Sequence, residues 1–190
     1  MNRVLVFGDA HIPSRRDSIP SQFYSQIENS QYDLALVTGD LVREAEMRAA
    51  MPELPKCYMV QGNMDYGRAF NIHEQVEIEE LNFLLLHGTQ FRPRGNVKQF
   101  WEIIMNVGAD VGVHGHTHEL SIDLYEGRLI LNPGTISGAT GGWAGVQDAS
   151  FMEIEVSQSK MTVNLHYTDW HVVKRSEARF QKVAGQMVRF

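Results

Sequence analysis

The sequence has little cysteine, no long apolar run and no excess of basic charge. A single cysteine, Cys57, excludes an internal disulfide framework and is typical of proteins from a reducing compartment. No apolar run approaches the ~18 residues that a membrane-spanning helix needs, and the first residues show no signal-peptide pattern. The formal net charge of −6 argues against a protein that coats nucleic acid, although a nucleotide could still be a small substrate. These absences predict a cytoplasmic protein without a membrane span.

Internal repeats, low-complexity segments and linker-like stretches are also lacking, so residues 1–190 are expected to form one domain. In the first half, short apolar runs alternate with polar, helix-like segments, which predicts parallel strands joined by right-handed crossovers. Ser18 is expected to cap the first helix, and Asn96 and Gly108 are expected to bound the clearest one. In the second half the pattern becomes strand, turn, strand. We therefore predict an α/β first half and an α+β second half, with a final helix or frayed tail over 177–190.

Three of the eight histidines stand at alternate positions in one short stretch, VHGHTHEL. Imidazole is costly to bury without partners, and clustered imidazoles repel one another once they are protonated. Metal ligation is the chemistry that benefits from such a concentration. The stretch therefore raises the question of whether the rest of the chain supplies further ligands.

Further candidate ligands follow the predicted strands, at the end where open α/β sheets bind their ligands. Together with the three histidines, the candidates are Asp9, His11, Asp40, Asn63, Asp65, His87, His114, His116 and His118. Because side chains alternate along an extended chain, Asp9 and His11 are expected to reach one ion together. The same reasoning pairs His116 with His118. Carboxylate, imidazole and amide donors without thiolate suit Mn, Fe, Ni, Co or Zn. The number of candidate ligands exceeds what one ion needs and fits two ions that share a bridging carboxylate.

Five short motifs occur along the chain in the order D-x-H, G-D, G-N, H-G and G-H-x-H. In this sequence they are GDAH (8–11), TGDL (38–41), QGNMD (61–65), LHG (86–88) and GHTH (115–118). In this order and at strand ends, they resemble the calcineurin-like metallophosphoesterases. Further segments, such as LNPGTISGAT, resemble the small single-domain branch, which also contains the phosphoesterase-like subunit of retromer. The resemblance implies a metallophosphoesterase-like, four-layer α/β/β/α sandwich of two mixed sheets.

The resemblance also implies a role for each candidate residue. It assigns a first ion to Asp9, His11, Asp40 and His118, with Asp40 bridging, and it completes a second ion with Asn63, His87 and His116. The expected cofactors are two divalent metal ions, with Mn²⁺ favoured and Ni²⁺, Fe²⁺, Co²⁺ or Zn²⁺ as alternatives. The expected reaction is in-line attack of a metal-bridging hydroxide on a small phosphoester substrate, with a phosphodiester favoured. The catalytic residues would then be Asp40, Asn63, Asp65 and His87, with Asp65 expected to orient a metal ligand. His114 falls outside the family pattern and is expected to bond to a neighbour within a strand.

Two positions depart from the pattern of many relatives. Met64 stands where a histidine can protonate the leaving group, which predicts a preference for substrates with good leaving groups. Thr89 replaces a second histidine that is frequent in the branch, which would remove a donor near the phosphate. Arginines that flank the motif loops could steer an anionic substrate, and these are Arg15, Arg16, Arg92 and Arg94.

Other interpretations remain open. The polar residues could be ordinary turn and cap residues, but turns explain neither the histidines nor their order. A metallo-β-lactamase-like hydrolase would show an H-x-H-x-D-H run, which the sequence lacks. The strongest rival is a protein-binding scaffold like the retromer subunit, whose metal positions are altered, whereas Asp40 and Asn63 keep the enzyme-type residues here. A protein partner could contact His11–Pro13 or the apolar residues near GGWAGV (141–146), and a homodimer is a further expected assembly.

Overall fold

The computed structural model describes residues 1–66, 70–142 and 145–190. Within these ranges the helices are α1 (Ser21–Glu28), α2 (Glu44–Ala49) and α3 (Val97–Val107). The strands, in chain order, are β1 (Asn2–Phe7), β2 (Leu34–Val37), β3 (Lys56–Met59), β4 (His73–Ile78), β5 (Leu81–Leu86), β6 (Val111–Val113), β7 (Leu120–Tyr125), β8 (Arg128–Pro133), β9 (Ala149–Ser157), β10 (Lys160–Thr168), β11 (Val173–Val183) and β12 (Gln186–Arg189). Among these residues, no helix combines the length and the hydropathy that a membrane crossing needs.

Seven strands form the larger sheet, in the order β12–β11–β10–β9–β1–β2–β3. As predicted, β1, β2 and β3 run parallel, with Val6 opposite Leu36 and Leu36 opposite Tyr58. β9 pairs antiparallel with β1, so β9, β10, β11 and β12 extend the same sheet. Because parallel strands end at the same edge, the residues that follow β1, β2 and β3 are brought side by side.

Five strands form the smaller sheet, in the order β4–β5–β6–β8–β7. The three central strands run parallel, and β4 and β7 pair antiparallel at the two edges. The segments after β5 and β6 therefore emerge next to each other, as those after β1 to β3 do in the larger sheet. These two segments carry His87, His116 and His118.

Buried side chains sort into three clusters, which show how the layers stack. Val6 of the larger sheet and Phe83 of the smaller one belong to the cluster between the sheets. On the outer face of the larger sheet, Phe23 of α1 meets Phe151 edge-on, with ring centroids 4.8 Å apart. On the outer face of the smaller sheet, Phe100 of α3 belongs to the third cluster. The order of layers is therefore α/β/β/α, which confirms the predicted sandwich.

The helix predicted between Asn96 and Gly108 is confirmed. The Asn96 side chain accepts a hydrogen bond from the backbone N–H of Gln99 at 3.1 Å, and Gly108 closes the helix with φ of 70°. The cap predicted for α1 is wrong. Its N-cap is Pro20 and not Ser18, and no side chain bonds to the first turn. The fixed φ of proline suits the start of a helix, and α1 begins after Pro20 without a hydrogen bond from a capping side chain.

The prediction for residues 177–190 is also wrong, because they form the end of β11 and all of β12 and not a helix or a frayed tail. Phe180 and Met187 are buried in the core between the sheets. Ala184 and Gly185 join the two strands, and both have a positive φ, of 49° and 79°. Two such residues are what a tight hairpin turn requires.

Gly112 in β6 lies against α3, and its replacement tests that packing. A Cβ at this position would lie 2.3 Å from Cδ1 of Ile104 and 2.6 Å from Cζ of Phe100. We expect Gly112→Ala to lower the free energy of unfolding by about 1–3 kcal/mol, because the core must be pushed apart. Urea denaturation measures the change. Gly142→Ala is the control, since no atom of the described residues beyond its chain neighbours lies within 4 Å of a Cβ there. Equal stability of the two variants would contradict the packing described.

Candidate metal centre

The candidate ligands converge at one edge of the sandwich. Each follows the end of a strand: Asp9 and His11 after β1, Asp40 after β2, Asn63 after β3, His87 after β5, and His116 and His118 after β6. The larger sheet supplies the carboxylates and the smaller sheet supplies three of the imidazoles. The site therefore exists only where the two sheets are packed together.

Asp9, His11 and His118 form the first cluster. Their nearest ligand atoms all lie within 4.8 Å of one another, and all three residues are buried. Nε2 of His118 lies 3.3 Å from Oδ1 of Asp9 and 3.2 Å from Nε2 of His11. Two imidazole nitrogens and a carboxylate oxygen at these separations could hold one metal ion.

Asp40, His87 and His116 form the second cluster, whose ligand atoms also lie within 4.8 Å of one another. Oδ2 of Asp40 is 3.5 Å from Nε2 of His87 and 3.5 Å from Nε2 of His11. The Asp40 carboxylate thus lies between the two clusters, which is the placement that a bridging ligand needs. Asn63 stands beside this cluster, with Oδ1 at 3.2 Å from Nε2 of His87.

A left-handed backbone conformation orients these ligands, and the alternation of side chains along a strand does not. Asp9 and His11 have φ of 48° and 49°, and His116 and His118 have φ of 71° and 64°. Alternation along an extended strand therefore does not apply to them. Asp9 and His11 still share a cluster, but His116 and His118 fall in different clusters, so that pairing is wrong. Positive φ outside glycine is uncommon and concentrates at functional sites.

Two of the histidines are oriented by backbone carbonyl groups. Nδ1 of His87 donates to the carbonyl of Thr38 at 2.7 Å, and Nδ1 of His118 donates to the carbonyl of Ala139 at 2.6 Å. A carbonyl oxygen can only accept, so Nδ1 carries a proton in both residues, and in the neutral form of each ring the lone pair lies on Nε2. In both residues Nε2 is the atom that faces its cluster, as metal-binding histidines require. The sequence contains no sign of these two carbonyl contacts.

The carboxylate of Asp65 binds four backbone N–H groups. Oδ2 accepts from Asp40 at 3.0 Å and from Gly62 at 2.8 Å. Oδ1 accepts from Leu41 at 2.6 Å and from Val42 at 2.8 Å. One side chain therefore fixes the loop after β2 to the loop after β3. These contacts position the Asp40 loop. The sequence placed Asp65 among the catalytic residues, and the structure gives it this positioning role.

Two buried hydroxyl groups fix the loop after β1, and sequence reasoning missed both. Thr135 donates to the carbonyl of Asp9 at 2.8 Å, and Ser137 donates to the carbonyl of Ala10 at 2.7 Å. Both hydroxyl oxygens also accept from the backbone N–H of Ala139, at 3.1 and 3.3 Å. The segment NPGTISGAT contained a signal for them, since it places small polar residues between glycines. Such residues are costly to bury without partners, which indicates hydrogen bonds to nearby backbone.

Several buried polar atoms at the site have no hydrogen-bond partner among the residues that the structure describes. They are Oδ1 of Asp9, Oγ1 of Thr38, and Nδ1 of His11 and of His116. An unpaired buried polar group costs about 1–3 kcal/mol, so a set of them at one place calls for an explanation. A cation would pair the Asp9 oxygen, which no hydrogen bond reaches. The donor set of carboxylate, imidazole and amide therefore fits divalent metal ions.

Burial keeps two of the imidazoles neutral. It lowers the pKa of His11 to about 4, although the carboxylates of Asp40 and Asp9 oppose the shift. It also lowers the pKa of His116 to about 4, and the positive charge of Arg94 acts in the same direction. Neutral imidazole is the form that binds metal, so both side chains are ready to ligate at neutral pH.

Asp40 and His87 form a charged pair in the absence of a cation. Burial opposes the charge on each, but their mutual contact wins. It raises the pKa of His87 to about 9, with help from the charge of Asp9. The same contact, together with the backbone N–H of Met64, lowers the pKa of Asp40 to about 2. His87 must release its proton to ligate a metal through Nε2.

The two departures from the family pattern lie beside Asn63. Met64 donates its backbone N–H to Oδ1 of Asp40 at 2.7 Å, and its thioether carries no proton to give. The hydroxyl of Thr89 lies 3.3 Å from Oδ1 of Asn63, to which it donates. The single hydroxyl hydrogen of Thr89 is therefore directed to Asn63, and the expected loss of a donor near the phosphate stays a prediction.

His114 lies outside both clusters. Its ring meets Phe91 and Phe100 edge-on, with centroid separations of 6.0 and 5.3 Å. Its Nδ1 atom donates to the carbonyl of Gly115 at 3.1 Å, as expected for a residue that bonds to a neighbour. Burial lowers the pKa of His114, so it packs here as a neutral aromatic ring.

Comparison with known proteins supports the same family that the motifs indicate. Residues 2–158 match the family model described as the calcineurin-like phosphoesterase superfamily domain. A probable metallophosphoesterase of Methanothermobacter thermautotrophicus is 35% identical over 132 residues, which cover 68% of this chain and 74% of that protein. Among solved structures, a single mutant of Vps29 from Entamoeba histolytica has a TM-score of 0.86 and 28% identity, covering 94% of this chain and 99% of that one. Wild-type Vps29 complexed with zinc, from the same organism, has a TM-score of 0.83 and 27% identity, covering 93% and 98%.

Asp65→Asn tests whether the amide contacts of Asp65 hold the site together. An asparagine side chain has one oxygen, so in either orientation its NH₂ group would face two of the four N–H donors. We expect the free energy of unfolding to fall by about 3–6 kcal/mol, since two hydrogen bonds to a charged group are lost and each contributes about 1.5–3 kcal/mol. Mn²⁺ binding, measured by calorimetry, should weaken as well, because Asp40 loses its support.

Asp33→Asn is the matched control for this variant. The Asp33 carboxylate accepts a single backbone bond, from Arg3 at 2.7 Å, and asparagine keeps an oxygen for it. Stability and Mn²⁺ affinity should therefore stay close to those of the wild type. Identical behaviour of Asp65→Asn and Asp33→Asn would show that the four contacts do not support the site.

Proposed function

The chain belongs to the calcineurin-like phosphoesterase superfamily, and on that premise we propose that it is a phosphoesterase that needs two divalent metal ions and favours phosphodiesters. The observation that carries the proposal is the completeness of the donor set. Each of the two clusters contains a buried carboxylate and two imidazoles, and Asp40 lies between the clusters. A site without a function would gain nothing from burying so many self-repelling groups together.

We assign the first ion to Asp9, His11 and His118 and the second to Asn63, His87 and His116, with Asp40 shared by both. The unpaired Oδ1 of Asp9 and the inward-facing Nε2 atoms support this assignment. Oxygen and imidazole donors without thiolate favour Mn²⁺, with Ni²⁺, Fe²⁺, Co²⁺ and Zn²⁺ as alternatives.

When bound, two divalent cations lower the pKa of water at the site and neutralise charge that builds up on a phosphoryl group. The side chains of this protein do the rest. Asn63 has its oxygen toward His87 and Thr89, which leaves its NH₂ group to donate to a phosphoryl oxygen. Asp65 fixes the backbone of Asp40, so that the shared carboxylate needs no rearrangement. Met64 has no proton to donate, so its side chain cannot act as the acid that protonates the departing oxygen.

Two further parts of the proposal concern the whole chain. We propose that residues 1–190 form one domain, because β10, β11 and β12, beyond the matched 2–158, continue the sheet that holds β1. We also propose a cytoplasmic location, which the lone Cys57 supports because it forms no disulfide.

A protein-binding scaffold like the retromer subunit is the second candidate function, and the similarity to Vps29 favours it. Metal binding alone does not separate the candidates, since a Vps29 has been solved with zinc. Of the partner surfaces expected from the sequence, Pro13 is exposed while His11 is buried among the ligands. In 141–146, residues 143 and 144 lie outside the described residues. Turnover is therefore the property that distinguishes an enzyme from a scaffold.

Hydrolysis of chromogenic phosphate monoesters and diesters with added Mn²⁺ tests the proposal. We expect turnover by the wild type, faster on diesters, and a loss of at least about a hundredfold in Asp40→Ala, because the variant removes the ligand shared by both ions. Asp33→Ala, at an exposed carboxylate outside the site, should keep wild-type rates. Equal rates for Asp40→Ala and the wild type would end the two-ion proposal. Mn²⁺ binding that Asp40→Ala abolishes, without turnover by the wild type, would favour the scaffold.

A series of aryl phosphodiesters with rising leaving-group pKa tests the role of Met64. Because no acid stands at this position, we expect kcat/KM to fall steeply along the series. Met64→His should raise the rate on the poorest leaving group by about tenfold or more, since general acids contribute about 10²–10⁴ in rate. Met105→His, at an exposed position on α3, is the control. A constant wild-type rate along the series would count against the interpretation.

A further inference from the structure

Four arginines near the site are held by neutral groups and form no ion pair with a carboxylate in the described ranges. They are Arg15, Arg16, Arg92 and Arg94. Elsewhere some arginines pair with acids, as Arg48 does with Glu44 at 2.9 Å and Arg179 with Glu177 at 2.8 Å, whereas Arg128 and Arg175 also bond to neutral groups. In a chain with a net charge of −6, positive side chains without acidic partners at one edge indicate an anionic ligand there.

Arg15 and Arg94 are fixed in place by backbone carbonyl groups. Nη1 of Arg15 donates to the carbonyl of Thr140 at 2.7 Å, and Nη2 of Arg94 donates to the carbonyl of His116. A guanidinium has five N–H donors, so each keeps most of its donors for a further ligand. The other two arginines are less suited. Arg92 bonds twice within its own loop, and Arg16 lies over an aromatic ring.

Both guanidinium groups lie on the same stretch of chain. Thr140 accepts from Arg15, and a Cβ on the next residue, Gly141, would lie 3.4 Å from Nη1 and from Nη2 of Arg94. The preceding residue, Ala139, holds His118 of the first cluster. Arg94 also contacts the backbone of a second-cluster residue. Both positive charges are therefore anchored at residues 140 and 141, beside both clusters, so an anion bound at this stretch would be attracted by both.

We propose that Arg15 and Arg94 bind a second phosphate group of the substrate, in addition to the phosphoester that is cleaved. This inference rests on the proposed function. The planar fork of arginine matches phosphate oxygens in two parallel hydrogen bonds, and two such forks suit a terminal phosphate. The substrate class is then a phosphoester that carries a further phosphate, as a nucleoside bisphosphate does, and not an ester whose remaining groups are uncharged.

The test uses two chromogenic substrates that differ by one phosphate: the p-nitrophenyl ester of thymidine 5′-phosphate, and the same ester with a 3′-phosphate. With Mn²⁺, the wild type is expected to show the higher kcat/KM on the ester with the 3′-phosphate, through a lower KM. The ratio of the two kcat/KM values is expected to fall by about tenfold or more in Arg15→Gln/Arg94→Gln, since hydrogen bonds to charged groups are strong. Arg179→Gln/Arg189→Gln removes the same charge from exposed strand positions and should keep the wild-type ratio.

The outcomes separate this inference from the proposed function. A wild-type ratio near one, or the same ratio in the wild type and Arg15→Gln/Arg94→Gln, overturns the inference, while cleavage of either ester still supports a phosphoesterase. If neither ester is cleaved, the proposed function fails, and calorimetry with thymidine 3′,5′-bisphosphate and thymidine 5′-phosphate decides the role of the arginines. Tighter binding of the bisphosphate that the double variant loses supports the inference, and equal binding of the two nucleotides overturns it.

Discussion

The position of the Asp40 carboxylate is the constraint on which the candidate site depends. Its Oδ2 atom lies 3.5 Å from Nε2 of both His11 and His87, so one side chain contacts both clusters. The backbone beneath it is left-handed, with φ of 54°, a conformation that costs about 1–3 kcal/mol outside glycine. The amide contacts of Asp65 hold it there. Gly62 makes the approach possible, because a Cβ there would lie 2.2 Å from the backbone nitrogen of Asp40.

Each cluster takes ligands from both sheets, and this makes the geometry of the site a property of the core. In the first cluster, Asp9 follows a strand of the larger sheet and His118 follows a strand of the smaller one. The separation of these side chains is set by the packing between the sheets, where Val6 and Phe83 are fully or almost fully buried. Protein interiors are close-packed, so a shift of one sheet against the other would change both clusters together. Stability and ligand geometry are therefore coupled at this edge.

The sequence was informative wherever the relevant pattern is local. Apolar runs that end in Gly-Asp or Gly-Asn identified the strand ends, and the order of the motifs led to the family. Alternation failed for His116 and His118 because both lie beyond the end of β6 and have a left-handed backbone, to which alternation along an extended strand does not apply. The bonds from Thr135 to the loop after β1 join residues 126 positions apart, so only the sheet order brings them together. The turn at Ala184 and Gly185 lacks the Asn-Gly or Asp-Gly signal that marks such hairpins, which is why the last strand was missed.

Charge connects the metal ligands with the arginines at the rim. Without cations, the carboxylates of Asp9 and Asp40 leave the interior of the site negative, because the positive charge of His87 offsets only one of them. Two divalent cations would add four positive charges against these two negative ones, so the loaded site would attract anions. Arg15 and Arg94 extend that attraction outward, on a chain whose net charge is otherwise negative. Metal loading would change the charge of the site in an enzyme and in a scaffold alike, so this reversal does not separate the two candidate functions. What the arginines add is a place for a second anionic group beside the ligands, which a phosphoester with a further phosphate would use.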